Sequence, residues 1–189
     1  ANWFTAGFEP NKGDFREMSK NAKPLPGETA GEKFRYSGAN TQTLVLATQY
    51  VTGMRWQDYW NERVWSKIGA KNPFICGLAP DGTPLAAGLH NTTPEDLLRY
   101  TLIYTPSWNV VSDEQIISDR LLKSIQTMGN PEAYKGSTEE QYGTDWFGEV
   151  PAYNSAQWDH VFSDGAMFKH GNMGQGIYVD PARDFCGMY

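Results

Sequence analysis

Phe34-Arg35-Tyr36-Ser37-Gly38-Ala39-Asn40-Thr41-Gln42-Thr43-Leu44 reads as a short extended segment that turns tightly and runs straight into a helix. That geometry can hold a side chain at the mouth of a cleft, and here the side chain is Tyr36. Upstream, Leu25-Pro26-Gly27-Glu28 is a turn. Downstream, Leu44, Ala47, Tyr50 and Val51 form one apolar helical face, and Gly53 is the stop. On local pattern alone the favoured reading of Tyr36 is an aromatic anchor beside an Asn/Gly turn.

Three further pieces follow in order: Val51-Thr52-Gly53-Met54, then Trp56-Gln57-Asp58-Tyr59-Trp60, then Val64-Trp65-Ser66-Lys67-Ile68-Gly69-Ala70. Further on stand Gly88-Leu89, Asp96-Leu97 and Arg99-Tyr100, and near the end Lys169-His170-Gly171-Asn172-Met173-Gly174-Gln175 precedes Ile177-Tyr178-Val179-Asp180-Pro181-Ala182-Arg183-Asp184. This series resembles the serine β-lactamase-like family: penicillin-binding proteins, class C β-lactamases, related esterases and 6-aminohexanoate-dimer hydrolases. The Gly-x-x-Gly-Gln … Tyr-Val-Asp-Pro form is most similar to the esterase and aminohexanoate-dimer-hydrolase branch. The resemblance implies an α+β, β-lactamase/transpeptidase-like fold, with a helical lobe followed by antiparallel sheet strands.

With 189 residues, the chain is long enough for one domain with a sizeable core. It is 40% hydrophobic and 20% charged, ordinary globular material, and 14% aromatic with 7 Trp, which suggests a core or cleft rich in large rings. A net charge of −6 argues against nucleic acid or an anionic membrane as partner. No apolar run approaches the about 18 residues of a membrane span. Cys76 and Cys186 sit in apolar company and read as buried free thiols rather than a bridge.

Along the chain, a short helix is expected around Asp14 to Lys20. Trp56, Tyr59, Trp60 and Val64 fall at i, i+3, i+4, i+8, an amphipathic helix with its rings turned to the core. Thr93-Pro94-Glu95-Asp96 is a helix start with an N-cap, a Pro at the first helical position and acids in the first turn. Ser112-Asp113-Glu114-Gln115 reads as a capping box opening a helix through Ile116, Ile117, Leu121, Leu122 and Ile125, with Gly129-Asn130-Pro131 ending it. Strands are expected at Tyr142 to Phe147, Val161 to Lys169, Gly176 to Pro181 and Asp184 to Tyr189. Helices first and strands after is the α+β order. We therefore expect a single partial domain over 1–189, with a mainly helical lobe in 1–130 and sheet strands in 131–189. The loop-rich opening and the uncovered last strand lead to the expectation of a domain cut at both ends.

The family's acyl transfer needs a nucleophilic Ser, a Lys one helical turn on, a Tyr that shuttles the proton, and an oxyanion hole. No Ser among residues 1–189 has a Lys three positions later. By resemblance, that Ser-x-x-Lys pair belongs upstream of Ala1. Tyr36 matches the family's proton-shuttling Tyr and needs an ammonium beside it, which by resemblance belongs to the Lys of that absent Ser-x-x-Lys pair. The Asn two residues on in the family is Gly38 here, a departure, with Asn40 a possible substitute. By resemblance, the strand near Gly171-Asn172 edges the oxyanion hole and His170 lies on the substrate side. The expected catalytic residues are thus Tyr36, Gly171 and Asn172, and the expected substrate-binding residues Gly38, Asn40 and His170. The expected partner is a small-molecule amide or ester. No cofactor is expected, and no metal, because His90, His160 and His170 show no metal-ligand spacing. Ser163, Asp164 and His160 remain as a conceivable triad without a nucleophile elbow. Two further readings stay open: a non-catalytic binding relative of the same fold, and an unrelated aromatic-rich α+β domain.

Overall fold

The computed structural model describes residues 15–23 and 26–189. Asp14 and Leu25, which enter two of the expectations above, lie outside these residues. Pro26-Gly27 do form a turn, with Gly27 at φ 78.

Helix α1 (Phe15–Lys20) buries Phe15 against Ala79 and Leu85. Helix α2 (Gly38–Thr52) begins where the quoted stretch predicts and ends at Gly53, whose left-handed φ of 68 lets its N–H reach Gln49 O at 3.0 Å. Its expected buried face is corrected: Leu44, Tyr50 and Val51 are 57%, 90% and 81% exposed, while Gly38, Gln42 and Val45 face inward. The helix is rotated because Gln42 donates from Nε2 to Pro84 O at 2.7 Å, a buried bond that holds a polar residue on the inner side.

Helix α3 (Trp56–Arg63) carries the predicted ring face, with Trp56 stacked on Trp60 at 5.8 Å. A two-stranded antiparallel ladder joins β1 (Ile75–Cys76) to β2 (His90–Asn91). Helix α4 (Pro94–Leu102) starts as read: Thr93 Oγ1 accepts the Asp96 N–H. Asp96 is fully buried, and its carboxylate accepts from Lys71 N (2.8 Å), Asn72 N (3.0 Å) and Asn72 Nδ2 (3.0 Å). It thereby ties the loop after Lys67-Ile68-Gly69 to α4. These hydrogen bonds, the Lys71 amide first, hold its pKa down to about 2.

Helix α5 (Asp119–Ile125) is capped by Ser118, not Ser112. Ser112 Oγ instead donates to Glu114 O at 2.8 Å in a local turn. Asn130 opens the next helix, α6 (Pro131–Tyr134), accepting the Ala133 N–H on Oδ1 at 3.2 Å. The expected strand at Tyr142–Phe147 is a second correction: these residues lie in helix α7 (Thr138–Phe147). Ser137 caps it by accepting the Glu140 N–H, acids fill its first turn, and Tyr142 stacks on Trp146 at 5.5 Å, one turn along. The helical part thus runs to Phe147.

Five strands then pair in chain order, all antiparallel: β3 (Tyr153–Ser155), β4 (Trp158–Val161), β5 (Met167–His170), β6 (Gly176–Asp180) and β7 (Phe185–Met188). The expected strand Val161–Lys169 is corrected to a hairpin. Asp164 Oδ1 accepts the Ala166 N–H at 3.0 Å and Gly165 N donates to Phe162 O, so Ser163-Asp164-Gly165 turns the chain. Val161, Met167 and Val179 lie in register and face the main core with Ile68, Ile103 and Trp158. His160, Phe168 and Tyr178 line the opposite face, where Trp146 and Phe147 of α7 cover it. The turn from β6 to β7 is locked by Asp180, which accepts the Arg183 backbone N–H at 3.0 Å and its guanidinium. Both cysteines are free and half-buried. Among the described residues no helix is long and apolar enough to cross a membrane.

Candidate active-site cleft

The extended segment ahead of α2 is pinned to the loop and helix around α6. Phe34 N donates to Ala133 O at 2.7 Å, Asn130 Nδ2 donates to Gly31 O at 3.3 Å, and the Phe34 and Tyr134 rings meet at 5.4 Å. Tyr36 is thereby held, 54% exposed, at the lip of a cleft of about 740 Å³ that also takes in Arg35, Lys135, Glu139 and Tyr142.

Strand β5 delivers the second group. Lys169 Nζ stands 5.2 Å from the centroid of the Tyr36 ring, a cation over an aromatic face. The ammonium is aimed by Asp159, whose two carboxylate oxygens each accept from Nζ at 2.8 Å. Asp159 is buried and also accepts the His170 N–H at 2.9 Å. His170 turns its ring toward α7, with Nε2 at 3.0 Å from Glu139 Oε2 and 3.3 Å from Asp159 Oδ2. Glu139 thus touches both the cleft and the sheet.

Behind these lies a buried pair. Tyr134 donates its hydroxyl to Asp159 O at 3.0 Å, and the same oxygen is 2.9 Å from His160 Nδ1. With its one proton committed to the carbonyl, the tyrosine accepts from an Nδ1–H, which fixes the His160 tautomer. Burial pushes the His160 imidazole down to about 4, against the pull of Asp159, so the ring is neutral at neutral pH. Burial, with Glu139 and Asp159 nearby, pushes the Tyr134 hydroxyl up.

The residues singled out from sequence fall in different places. Tyr36 is at the cleft lip. Gly38 is the buried first residue of α2, and Asn40 is exposed in its first turn, its N–H bonded to Ser37 O at 3.2 Å. Gly171 and Asn172 begin the turn that follows β5. The Gly171 N–H is donated to Gln175 O at 2.7 Å, and the Gln175 side chain occupies the space that a Cβ on Gly171 would need. Ser163, Asp164 and His160 do not assemble: Ser163 Oγ is 3.5 Å from Glu149, Asp164 receives Arg183, and His160 faces Tyr134. Lys169 stands within the quoted motif with no role implied for it, and Glu139, Asp159 and Tyr134 belong to no motif. The Lys-x-Gly spacing was the available signal for Lys169; the others are joined only by the fold.

The family model described as Beta-lactamase matches residues 4–189. The chain belongs to the beta-lactamase family. Among curated relatives, this beta-lactamase-family chain is 25% identical over 181 residues to the 6-aminohexanoate-dimer hydrolase of Paenarthrobacter ureafaciens, covering 95% of this chain and 45% of that protein. Among solved structures it is similar to a putative 6-aminohexanoate-dimer hydrolase from Bacillus anthracis, with a TM-score of 0.72 and 23% identity over 95% of this chain and 45% of the other. The chain thus spans about half the length of the relatives it matches. Those matches agree with the α+β, β-lactamase-like architecture expected from sequence.

Proposed function

We propose that this chain forms one wall of the active-site cleft of a serine hydrolase that cleaves an amide or ester through an acyl-enzyme. The nucleophilic Ser and its Lys belong to sequence outside residues 1–189. In this reading the serine oxygen bonds to the substrate carbonyl carbon while Tyr36 takes the serine proton and passes it to the departing amine or alkoxide. Water then releases the acid and restores the serine. The single observation carrying the proposal is Lys169 Nζ at 5.2 Å from the Tyr36 ring. It sets the Lys169-His170-Gly171 strand, whose motif the resemblance pairs with the tyrosine motif, against the Tyr36 ring, with a cation over the ring face. The hydrolase names of the relatives support the class; the amide or ester substrate is our own reading.

The test is an activated ester or fluorophosphonate applied to the full polypeptide that carries this chain, followed by intact and peptide mass analysis. One adduct per chain on a serine outside residues 1–189, formed at least roughly a hundredfold more slowly in Tyr36→Phe, is expected. Absence of any adduct across acyl donors sinks the acyl-enzyme. A second reading, a binding relative that kept the cleft, is favoured by two observations: Gly38 stands where the family pattern has Asn, and the Gly171 N–H is already bonded to Gln175 O. Saturable ligand binding without adduct or turnover distinguishes it.

A further inference from the structure

Beneath the cleft, α7 and the β4–β5 hairpin bring together three side chains far apart in sequence. Glu139 is 6% exposed and His160 0% exposed, and the His170 side chain is 18% exposed. One ligand atom from each, a carboxylate oxygen and two imidazole nitrogens, lies within 4.8 Å of the others. We propose that Glu139, His160 and His170 bind one divalent transition-metal ion of the zinc type, fastening α7 to the sheet under the cleft wall. This reading is independent of the acyl-enzyme.

Four observations converge on it. First, the donor set is two imidazoles and one carboxylate. That set suits Zn²⁺ and its neighbours, whereas Mg²⁺ and Ca²⁺ take oxygen ligands. Second, His160 Nε2 is buried with no hydrogen-bond partner among the described residues. A bare buried nitrogen is costly unless something accepts its lone pair. Nδ1 is committed to Tyr134, so Nε2 is the nitrogen left to donate. Third, the carbonyl of Asp159 orients Tyr134, which orients His160. A histidine whose far nitrogen is fixed in this way is the usual support behind a metal ligand. Fourth, the nearby formal charges are Glu139, Asp159 and Lys169, and Lys169 is spent on Asp159. With both imidazoles neutral, as metal ligands must be, Glu139 has no ammonium or guanidinium of its own among these groups, and a cation would supply the missing charge. Glu139 Oε2 and His170 Nε2, 3.0 Å apart, already have about the separation of two ligands bound near 2.1 Å, and the His160 nitrogen closes in from within 4.8 Å.

The test uses the full polypeptide, stripped with a chelator and titrated with Zn²⁺ by calorimetry. Expected are one ion per chain and an unfolding midpoint that rises with Zn²⁺. Glu139→Gln and His170→Gln are expected to weaken the affinity at least roughly tenfold and to remove the rise. Should those variants fail to fold, Cu²⁺ loaded on the wild-type protein must show hyperfine coupling from two imidazole nitrogens in pulsed paramagnetic resonance. Failure to saturate at one ion, variants that bind as tightly as wild type, or a copper spectrum without two imidazoles each overturn the proposal.

Discussion

Replacing Lys169 with Met keeps the alkyl stem on β5 and removes the ammonium. Two things are lost together: both 2.8 Å bonds to Asp159 and the cation over Tyr36. The Asp159 side chain is 4% exposed, and its carboxylate keeps only the His170 N–H at 2.9 Å and, farther off, the His170 ring nitrogen at 3.3 Å. Removing one partner of a buried pair costs about 3–5 kcal/mol. The Lys169 side chain is itself 30% exposed, so water enters the gap and the lower end applies, about 3 kcal/mol. Adding Asp159→Asn removes the stranded charge while leaving an oxygen for the His170 N–H. The double variant is therefore expected to regain about 2 kcal/mol, a coupling that equilibrium urea unfolding of the full polypeptide, followed by near-ultraviolet circular dichroism, can read. If Lys169→Met lies within about 0.5 kcal/mol of wild type, or the double variant recovers nothing, the pair does not organise the site as argued. Turnover separates the second job: the double variant, although restabilised, is expected to stay about a hundredfold slow, because nothing replaces the cation beside Tyr36.

Tyr36→Phe should cut acylation about 10²–10⁴-fold while leaving the unfolding midpoint in place, since Tyr36 is 54% exposed; a large loss of stability would mean it is a structural anchor instead. Gly143→Ala should destabilise by about 1–3 kcal/mol despite better helix propensity, because a Cβ there would sit 2.4 Å from Pro151 and 2.9 Å from His160 Nδ1; an unchanged melt would show that α7 can slide. Burial holds His90, packed beside Trp56 and Phe74, at a pKa of about 4, below its usual 6.5. The unfolded chain therefore binds the extra proton, and stability present above pH 6.5 is lost as the pH falls toward 4; His160 titrates in the same window, so His90→Phe should remove about half of that slope. Asp96, held near 2, contributes in the next window down, from about pH 4 to 2, and Asp96→Asn should make that slope shallower, with the lowered Glu95, Asp164 and Asp184 keeping the rest.

What could be read in the sequence divides by the range of the forces involved. Thr93-Pro94-Glu95-Asp96 was legible because its cap, its proline and its acids act within one turn. Ser112 and Ser118 offer similar local chemistry, and what separates them is where each hydroxyl ends up. Ser112 closes a turn on Glu114, and Gln115 reaches forward to Asp119 at 2.7 Å instead of back to a cap. Tyr142, Thr144, Trp146 and Phe147 are good strand formers, yet the Ser137 cap and the packing of Trp146 and Phe147 on the sheet outweigh that preference. The rotation of α2 depended on one buried amide bond from Gln42 to a loop, which no periodicity reports. Tyr36 was legible from its place before α2. Glu139, Asp159 and Tyr134, and the partners of His160, were not, because α6, α7 and the β4–β5 hairpin meet only in the folded chain.

The meander of β3 to β7 has a kinetic consequence. Each strand pairs with its neighbour in sequence, so the sheet can zip up from successive hairpins with little loop closure to overcome. Lys169 and Asp159 therefore find each other early. Tyr36 arrives from far up the chain, carried by the few bonds that link Phe34 and Gly31 to Ala133 and Asn130. The cleft is thus a late product of folding: a species with a finished sheet and no cleft should precede the native state, and mutations at Phe34 should speed unfolding more than they slow folding.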